Sequence, residues 1–285
     1  MDITTALAAT YLTIATPIGR RGFRKFMSVL HRTVPGATTT FRTIDIGNGV
    51  QFSYPSGDAY WQYYFLTGTS YEEEMLRVYD LVKDRVSLYL DCGANFGYWS
   101  VKLAKSVKTV AVEASSENFS LLQRNNKLNG NRFSTINAAI TDVSGSHVWF
   151  ATTSDHAGRN ITTDENKNKE RVSTITIDEL VRDHKDREGA IFVKLDVEGV
   201  EVEALKGAKE TLKGDAIFVY EDHAKDRECL PTSYLLGEGK RIYYVDSAGS
   251  VTPILSIADA LKFKVKTKSV GYNFVALGDA APCLA

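Results

Sequence analysis

The alternation of short apolar runs with helical segments after residue 86 is the feature that most restricts the fold of this chain. Five runs have the length of strands: VSLYL (86–90), TVAVE (109–113), FSTINAAI (133–140), AIFVKLD (190–196) and AIFVYE (216–221). Helical segments with polar start signals lie between them, for example after Ser115 or Ser116, and where Thr176 precedes Glu179 by three residues. Apolar strands separated by helices form parallel sheets that are covered on both faces. The sequence therefore predicts an α/β fold with a mostly parallel sheet.

The two ends of the chain follow other patterns. Residues 41–54 alternate apolar and polar side chains around Gly-Asn-Gly, which predicts a β-hairpin. Residues 241–246 and 271–278 have the pattern of strands, with no helix of ordinary pattern between the turn at 247–250 and the last strand, and this favours an antiparallel carboxyl-terminal edge. The polar stretch 151–172 shows no periodicity and is interpreted as a long surface loop. We predict an N-terminal extension of helix and hairpin, residues 1–70, followed by one domain, residues 71–285.

The first apolar stretch of the chain, residues 5–19, carries no charge and is followed by Arg20, Arg21, Arg24 and Lys25. It is shorter than the roughly 20 residues that span a bilayer. Two interpretations stay open: a helix packed on the protein or on a second subunit of a homo-oligomer, or a helix in the membrane interface with its basic residues near headgroups.

Charge and cysteine content restrict the partners and the compartment. A formal net charge of −1 gives no bulk attraction to nucleic acid, so no nucleic-acid partner is expected. Three widely spaced cysteines make neither a disulfide framework nor a zinc pattern. We expect a reducing, cytoplasmic location, either free or peripheral to the inner face of the membrane.

The first apolar run leads into LYLDCGANFGYWS, residues 88–100, where a carboxylate and two glycines follow the strand. Ligands of parallel α/β sheets bind beyond the carboxyl ends of the strands, and Asp91 lies at that edge. Gly93 and Gly97 allow the backbone to approach a ligand closely, and the helix predicted next offers unpaired N–H groups. Glu113 ends the second strand, where an acid can accept both hydroxyls of a ribose. The pattern predicts a ligand derived from a nucleoside.

The spacing of this turn distinguishes two classes of nucleoside cofactor. Dinucleotide-binding proteins use G-x-G-x-x-G against a pyrophosphate, whereas this chain has D-x-G-x-x-x-G with Asn95 between the glycines. The Asp91 carboxylate would repel a pyrophosphate and suits a ligand with an ammonium group. S-adenosyl-L-methionine carries an ammonium group and a neighbouring sulfonium. We therefore predict this cofactor rather than a dinucleotide.

At these residues the chain resembles the FkbM-type methyltransferases, a family of Rossmann-like S-adenosylmethionine-dependent enzymes. The resemblance extends over residues 71–277 and is most specific at KLDVEGVEVEALKGA, residues 194–208. It implies O-methylation, often of a sugar or glycan and sometimes of a polyketide or lipid hydroxyl. The cofactor residues that it implies are Asp91, Gly93, Asn95, Gly97 and Glu113, with Asn137 near the adenine.

Candidate catalytic residues follow the fourth and fifth strands. Methyl transfer to an alcohol needs alignment of the acceptor oxygen and removal of its proton. Asp196 ends the fourth strand, and Glu221, Asp222 and His223 follow the fifth. Asp196 has the better position for a base, whereas His223 has the more suitable pKa, and Glu221 is a third candidate. Asp196 with Glu221 and Asp222 also resembles an oxygen-ligand set for Mg²⁺, but we predict no metal.

Recognition of the acceptor, a saccharide or another hydroxyl-bearing molecule, is expected from residues 41–74. The aromatic cluster at 60–65 could stack on a sugar ring, and we expect Trp61 or a neighbouring tyrosine to be exposed. If Trp61 is buried, recognition falls to the predicted loop at 151–172, with His156, Arg159 and Asn160. The alternatives left open are O-methylation of a polyketide, lipid or RNA ribose hydroxyl, and a non-catalytic cofactor-binding partner protein.

Overall fold

The computed structural model describes residues 2–14, 19–34, 39–152, 161–163, 168–184, 188–223, 226–264 and 271–284. The chain divides into two compact units, Met1–Glu73 and Glu74–Ala285. Among the described helices, none has the length and apolar character needed to cross a bilayer.

The first unit contains three helices and the predicted hairpin. Its elements are α1 (Ile3–Ile14), α2 (Gly19–Thr33), β1 (Phe41–Asp45), β2 (Gln51–Pro55) and α3 (Ala59–Thr67). The two strands pair antiparallel, with Asp45 opposite Gln51. Asp58 caps α3 by accepting the backbone N–H of Trp61, as expected for an aspartate at this position.

The aromatic cluster of α3 forms part of the core of this unit. Trp61 is 2% exposed and contacts Phe52 edge-on at 4.7 Å between ring centroids. The tyrosines at 60, 63 and 64 are half-buried. The expectation that Trp61 contacts the acceptor is therefore wrong, because a side chain with so little accessible surface has no face left for a ligand.

The second unit is built on a large mixed sheet. Its strands are β3 (Val86–Cys92), β4 (Lys108–Glu113), β5 (Ser134–Asn137), β6 (Ala139–Ile140), β7 (His147–Ala151), β8 (Lys169–Ile175), β9 (Ala190–Leu195), β10 (Ala216–His223), β11 (Arg241–Val245), β12 (Val251–Ile254) and β13 (Gly271–Leu277). Eight of them form one sheet in the order β12-β11-β13-β10-β9-β3-β4-β5, and β6-β8-β7 form a smaller one. Five neighbouring strands, β5, β4, β3, β9 and β10, pair parallel, whereas β13 pairs antiparallel with β10 and β11. The predicted Rossmann-like sheet with an antiparallel carboxyl-terminal edge is confirmed.

Helices cover both faces of this sheet. They are α4 (Glu73–Val82), α5 (Tyr98–Leu103), α6 (Ser116–Leu128), α7 (Ile177–Arg182), α8 (Glu201–Lys206), α9 (Leu230–Gly237) and α10 (Ile257–Phe263). The predicted start signals act as caps, since Ser115 accepts the N–H of Asn118 and Thr176 accepts that of Glu179. One face of the sheet packs Leu90, Leu195 and Phe218 against the helices α7 to α10.

Two expectations from the sequence are corrected. The stretch 151–172 is not wholly a loop, because β8 begins at Lys169 and pairs antiparallel with β7. The candidate acceptor residues His156, Arg159 and Asn160 lie outside the described residues. A helix, α10, also lies between the turn at 247–250 and β13, with Ser256 as its cap accepting the N–H of Asp259.

Candidate functional site

The carboxyl ends of β3 and β9 mark the point where the strand order reverses direction. From β3 the chain builds outward through β4 and β5, and it then returns to add β9 on the other side of β3. Crevices at such switch points are the binding sites of doubly wound sheets. The predicted residues Asp91 and Asp196 lie at these two strand ends.

A row of polar side chains crosses this edge on one face of the sheet. Asp91 is in register with Lys194, and Glu221 is in register with Asn273. Residues in register on neighbouring strands project to the same face, and Asp196 projects with Lys194 because side chains alternate along a strand. The row is continued at both ends by the covering helices, as Ser100 of α5 donates to Asp91 at 2.5 Å and Asn273 donates to Glu74 of α4 at 2.8 Å.

The glycine turn after β3 is pressed against the segment that follows β9. Gly93 has φ +85°, and a Cβ placed on it would lie 1.8 Å from the carbonyl oxygen of Asp196. Gly97 has φ +84°, and its Cβ would lie 2.4 Å from a methyl carbon of Leu122. Gly93 is required for its conformation and for the space beside backbone, whereas Gly97 is favoured chiefly by its left-handed conformation. The turn can therefore present its backbone without a side chain in the way.

Glu113 is held in place by the same turn. Its Oε2 accepts the backbone N–H of Asn95 at 2.8 Å, and its Oε1 accepts that of Ser115 at 2.9 Å. Asn95 makes this contact in a left-handed conformation, φ 53°, which asparagine tolerates better than most residues. Both carboxylate oxygens of Glu113 are thus held by backbone N–H groups at the end of β4, and its contact with a ribose stays a prediction.

Asn137, predicted to lie near the adenine, ends β5 beside Glu113. Its side-chain amide donates to the backbone carbonyls of Glu113 and Ala114, at 2.9 Å in both cases. The contact joins the ends of β4 and β5 and fixes the start of the segment leading into α6. The structure thus brings Asn137, Glu113 and Asn95 together, and the adenine contact stays a prediction.

Asp91 lies beneath the turn and is only 1% exposed. Burial raises the pKa of its carboxyl, while the Lys194 ammonium and the Ser100 hydroxyl act in the opposite direction. Its contact with a ligand ammonium also stays a prediction. What the geometry shows is a buried carboxylate that links β3 to α5 through Ser100.

Lys194 and Asp196 form an ion pair next to Asp91. The Nζ–Oδ2 distance is 2.8 Å, and the side chains are 6% and 21% exposed respectively. Burial alone would raise the pKa of Asp196, but the Lys194 ammonium beside it holds that pKa below its usual value. Asp196 is therefore an ionised carboxylate at the edge of the crevice.

His223 lies between two carboxylates. Its Nε2 is 3.9 Å from Oε1 of Glu201, and its Nδ1 is 3.9 Å from Oε1 of Glu221. Glu201 begins α8 and folds back to accept the N–H groups of Val197 and Gly199. Burial raises the pKa of Glu201, and the Gly199 hydrogen bond acts against this. The imidazole is 36% exposed and can exchange protons with the crevice.

The predicted catalytic set is thus brought together, with one exception. Asp222 projects to the opposite face of β10, where its side chain accepts from Lys264 at 2.6 Å and from Thr232 at 2.7 Å. It is therefore no part of the oxygen-ligand set considered for Mg²⁺. Asp196, Glu198 and Glu221 do carry carboxylate oxygens within 4.8 Å of one another and could hold a hard cation.

Two residues of the site, Asn273 and Glu74, escaped the sequence reasoning. Asn273 and Glu74 are separated by 199 positions, so that only the fold brings them together. Asn273 lies opposite Glu221 on the neighbouring strand. It could have been predicted only if the antiparallel pairing of β13 with β10 had been known from the sequence.

Comparison with known protein families gives one match. Residues 91–247 match the model of the methyltransferase FkbM domain, and this range contains the predicted cofactor and catalytic residues. No curated protein matches the chain.

Solved structures give more distant likenesses. A precorrin-6y C5,15-methyltransferase from Geobacter metallireducens GS-15 is 10% identical, with a TM-score of 0.39 over 73% of this chain and 88% of its own. A TehB-like SAM-dependent methyltransferase from Corynebacterium glutamicum is 10% identical, with a TM-score of 0.41 over 76% and 94%. The tRNA (uracil-54, C5)-methyltransferase of Pyrococcus abyssi, in complex with S-adenosyl-L-homocysteine, is 11% identical, with a TM-score of 0.41 over 83% and 43%.

Proposed function

Because the chain belongs to the FkbM methyltransferase family, we propose that it methylates a hydroxyl group of a sugar or glycan. Its general activity is that of a methyltransferase, and its cofactor is S-adenosyl-L-methionine. The proposal concerns the acceptor atom and the acceptor class. The observation that supports it is the cluster of proton acceptors, Asp196, Glu221 and His223, beside the glycine turn.

The residues at the end of β3 and β4 fit the cofactor. The turn at Gly93 has no room for a side chain, and Glu113 offers fixed acceptors of the kind that a ribose diol needs. When bound, S-adenosyl-L-methionine supplies a methyl carbon activated by its sulfonium. Glu113 would hold the ribose hydroxyls, and Asn95 and Asn137 would keep the surrounding turns in place.

The residues at the ends of β9 and β10 would bind the acceptor hydroxyl and remove its proton. A sugar hydroxyl is a poor nucleophile while protonated, so a base that takes its proton contributes about 100- to 10,000-fold to the rate. Asp196 is the first candidate for this role because its carboxylate stays ionised next to Lys194. Glu221 and His223 lie next to it and can pass the proton towards solvent.

The test of the proposed function is a turnover experiment with methyl-labelled S-adenosyl-L-methionine and separate glycan, lipid and RNA extracts. Mass spectrometry should show the gain of one methyl group in the glycan fraction, on oxygen. Label in the lipid or RNA fraction alone would contradict the saccharide acceptor. Binding of S-adenosyl-L-homocysteine without label in any fraction would contradict catalysis itself.

We expect Glu113→Gln to weaken binding of S-adenosyl-L-homocysteine by about 10- to 150-fold, the equivalent of losing hydrogen bonds to a charged group worth about 1.5–3 kcal/mol. Isothermal titration calorimetry measures this effect. The exposed Glu117, in the first turn of α6, provides the control Glu117→Gln.

A ligand analogue separates ribose binding by Glu113 from its support of the turn. The wild-type chain should bind the 2′-deoxy analogue of S-adenosyl-L-homocysteine more weakly than the parent ligand, and the variant should bind the two alike. Equal discrimination in both proteins would show that Glu113 only supports the turn.

The pH dependence of turnover distinguishes Asp196 from His223 as the base. A carboxylate whose pKa lies below its usual value of about 3.9 stays ready to accept a proton as the pH falls, so turnover should stay level from pH 8 to about pH 5. Lys194→Met removes the charge that lowers the pKa of Asp196. The pH at which turnover begins to fall on acidification should then be higher in this variant. Lys240→Met, which breaks the Lys240–Asp279 pair, is the control. A pH profile that Lys194→Met does not shift would contradict the assignment of Asp196 as the base.

A further inference from the structure

Helix α2 in the first unit concentrates positive charge in a chain that has none overall. It contains four arginines, one lysine and no acidic residue over Gly19–Thr33, whereas the whole chain has a formal net charge of −1. Asp2 is the one acidic residue among residues 1–40, and its carboxylate accepts the N–H and the hydroxyl of Thr5 at the start of α1. The local excess of cations is therefore not neutralised within this segment of the sequence.

The apolar side of α2 is occupied within the unit. Phe23, Met27 and Leu30 form a cluster with Ala8 of α1, and Phe23 and Met27 are fully buried. Tyr11 of α1 stacks on Phe26 at 4.2 Å between ring centroids. These contacts fix which side of the helix faces outward.

The outward side of α2 alternates cations with an aliphatic residue. Lys25, Val29 and Arg32 are exposed and follow one another at helical spacing, and Val29 is 58% exposed. Helix α1, which contains no charged residue, exposes Ile3 at 68% and Leu7 at 41%. The unit thus presents cations together with exposed aliphatic side chains.

We propose that the outward side of α2, with Lys25, Val29 and Arg32, docks on an anionic lipid bilayer. Each basic residue close to such a surface strengthens binding about fivefold, and aliphatic side chains add to binding when they enter the boundary between headgroups and acyl chains. Exposed aliphatic residues have no counterpart on a phosphate backbone, so a bilayer fits the surface better than RNA. Docking would be peripheral and reversible, and it would place the methyltransferase unit near acceptors that are made or held at a membrane.

Vesicle sedimentation of the full chain tests this surface. We expect sedimentation with vesicles of phosphatidylcholine and phosphatidylserine and little with phosphatidylcholine alone. We also expect release in about 1 M salt, where the electrostatic attraction is screened within about 3 Å. Lys25→Glu combined with Arg32→Glu should lower the partition coefficient at least tenfold. Lys206→Glu with Lys209→Glu, two exposed lysines of the second unit, makes the same change in charge and should leave partitioning much less affected.

Binding of S-adenosyl-L-homocysteine is measured on the same variants, and both double variants should retain it if the second unit is folded. Loss of vesicle binding can then be distinguished from failure of the proposed function. Equal sedimentation with both kinds of vesicle, or equal loss in both double variants, would overturn the proposal. Salt-sensitive RNA binding without vesicle binding would overturn it as well and would assign the cations to nucleic acid.

Discussion

We expect Lys264→Met to lower the free energy of unfolding by about 3–5 kcal/mol, the effect of removing one partner of a buried ion pair. Lys264 and Asp222 are both inaccessible to solvent, with 2.6 Å between Nζ and Oδ1. The ammonium also donates to the backbone carbonyl of Asp226 at 2.6 Å. Burial raises the pKa of Asp222, and Lys264 opposes this, so the variant would leave a buried carboxylate with no cation beside it. Urea denaturation followed by circular dichroism measures the change.

Lys262→Met is the matched control, because Lys262 lies two residues before Lys264, in the last turn of α10. Lys262 pairs with Asp259 at 2.7 Å, but its side chain is 71% exposed, and exposed pairs contribute about 0–1 kcal/mol. Asp222→Leu in the Lys264→Met background should recover much of the loss, because removing both charges abolishes the unpaired one. Equal effects of Lys262→Met and Lys264→Met would contradict this account of the buried pair.

This buried pair also explains how the end of β10 is held for function. Glu221 and His223 project to the crevice, and Asp222 between them projects to the opposite face, where Lys264 and Thr232 bind it. These contacts hold the end of β10 on the face opposite the crevice. Thr232→Val is a milder variant, because it removes one hydrogen bond to Asp222 and leaves the ion pair with Lys264 in place.

The sheet and most of the candidate site could be predicted because strand ends are visible in a sequence. Asp91, Glu113, Asp196 and Glu221 each follow an apolar run, and parallel strands bring their carboxyl ends to one edge. The hairpin at 41–54 was predictable for a similar reason, since its turn requires the glycines that the sequence shows.

The features that the sequence did not predict have a common physical cause. Contacts with residues distant in the sequence decide which polar side chains are buried. Lys264 is one of several lysines in a polar run, and only its contact with Asp222 shows that it is buried. Strand β8 escaped notice because it starts with Lys169 and Glu170, and its buried alternate positions, Val172 and Thr174, begin only later. Helix α10 did have a local signal, Ser256 three residues before Asp259, which resembles a capping box.

We expect Asp196→Asn to reduce turnover by roughly 100- to 10,000-fold, the usual contribution of a positioned base, and to leave the affinity for S-adenosyl-L-homocysteine almost unchanged. Asparagine retains an oxygen that can accept from Lys194 but cannot take a proton from the acceptor hydroxyl. The measurement is methyl transfer to the active glycan fraction, with calorimetry on the same preparations.

The control for this prediction is Asp279→Asn, because Asp279 pairs with Lys240 at 2.6 Å as Asp196 pairs with Lys194, but is 56% exposed. It should leave turnover unchanged. His223→Gln should have a smaller effect than Asp196→Asn if the imidazole only passes the proton onward between Glu201 and Glu221. The opposite order, with turnover retained in Asp196→Asn and lost in His223→Gln, would make His223 the base. Asp196 would then act through its contact with Glu221, which lies beside the imidazole.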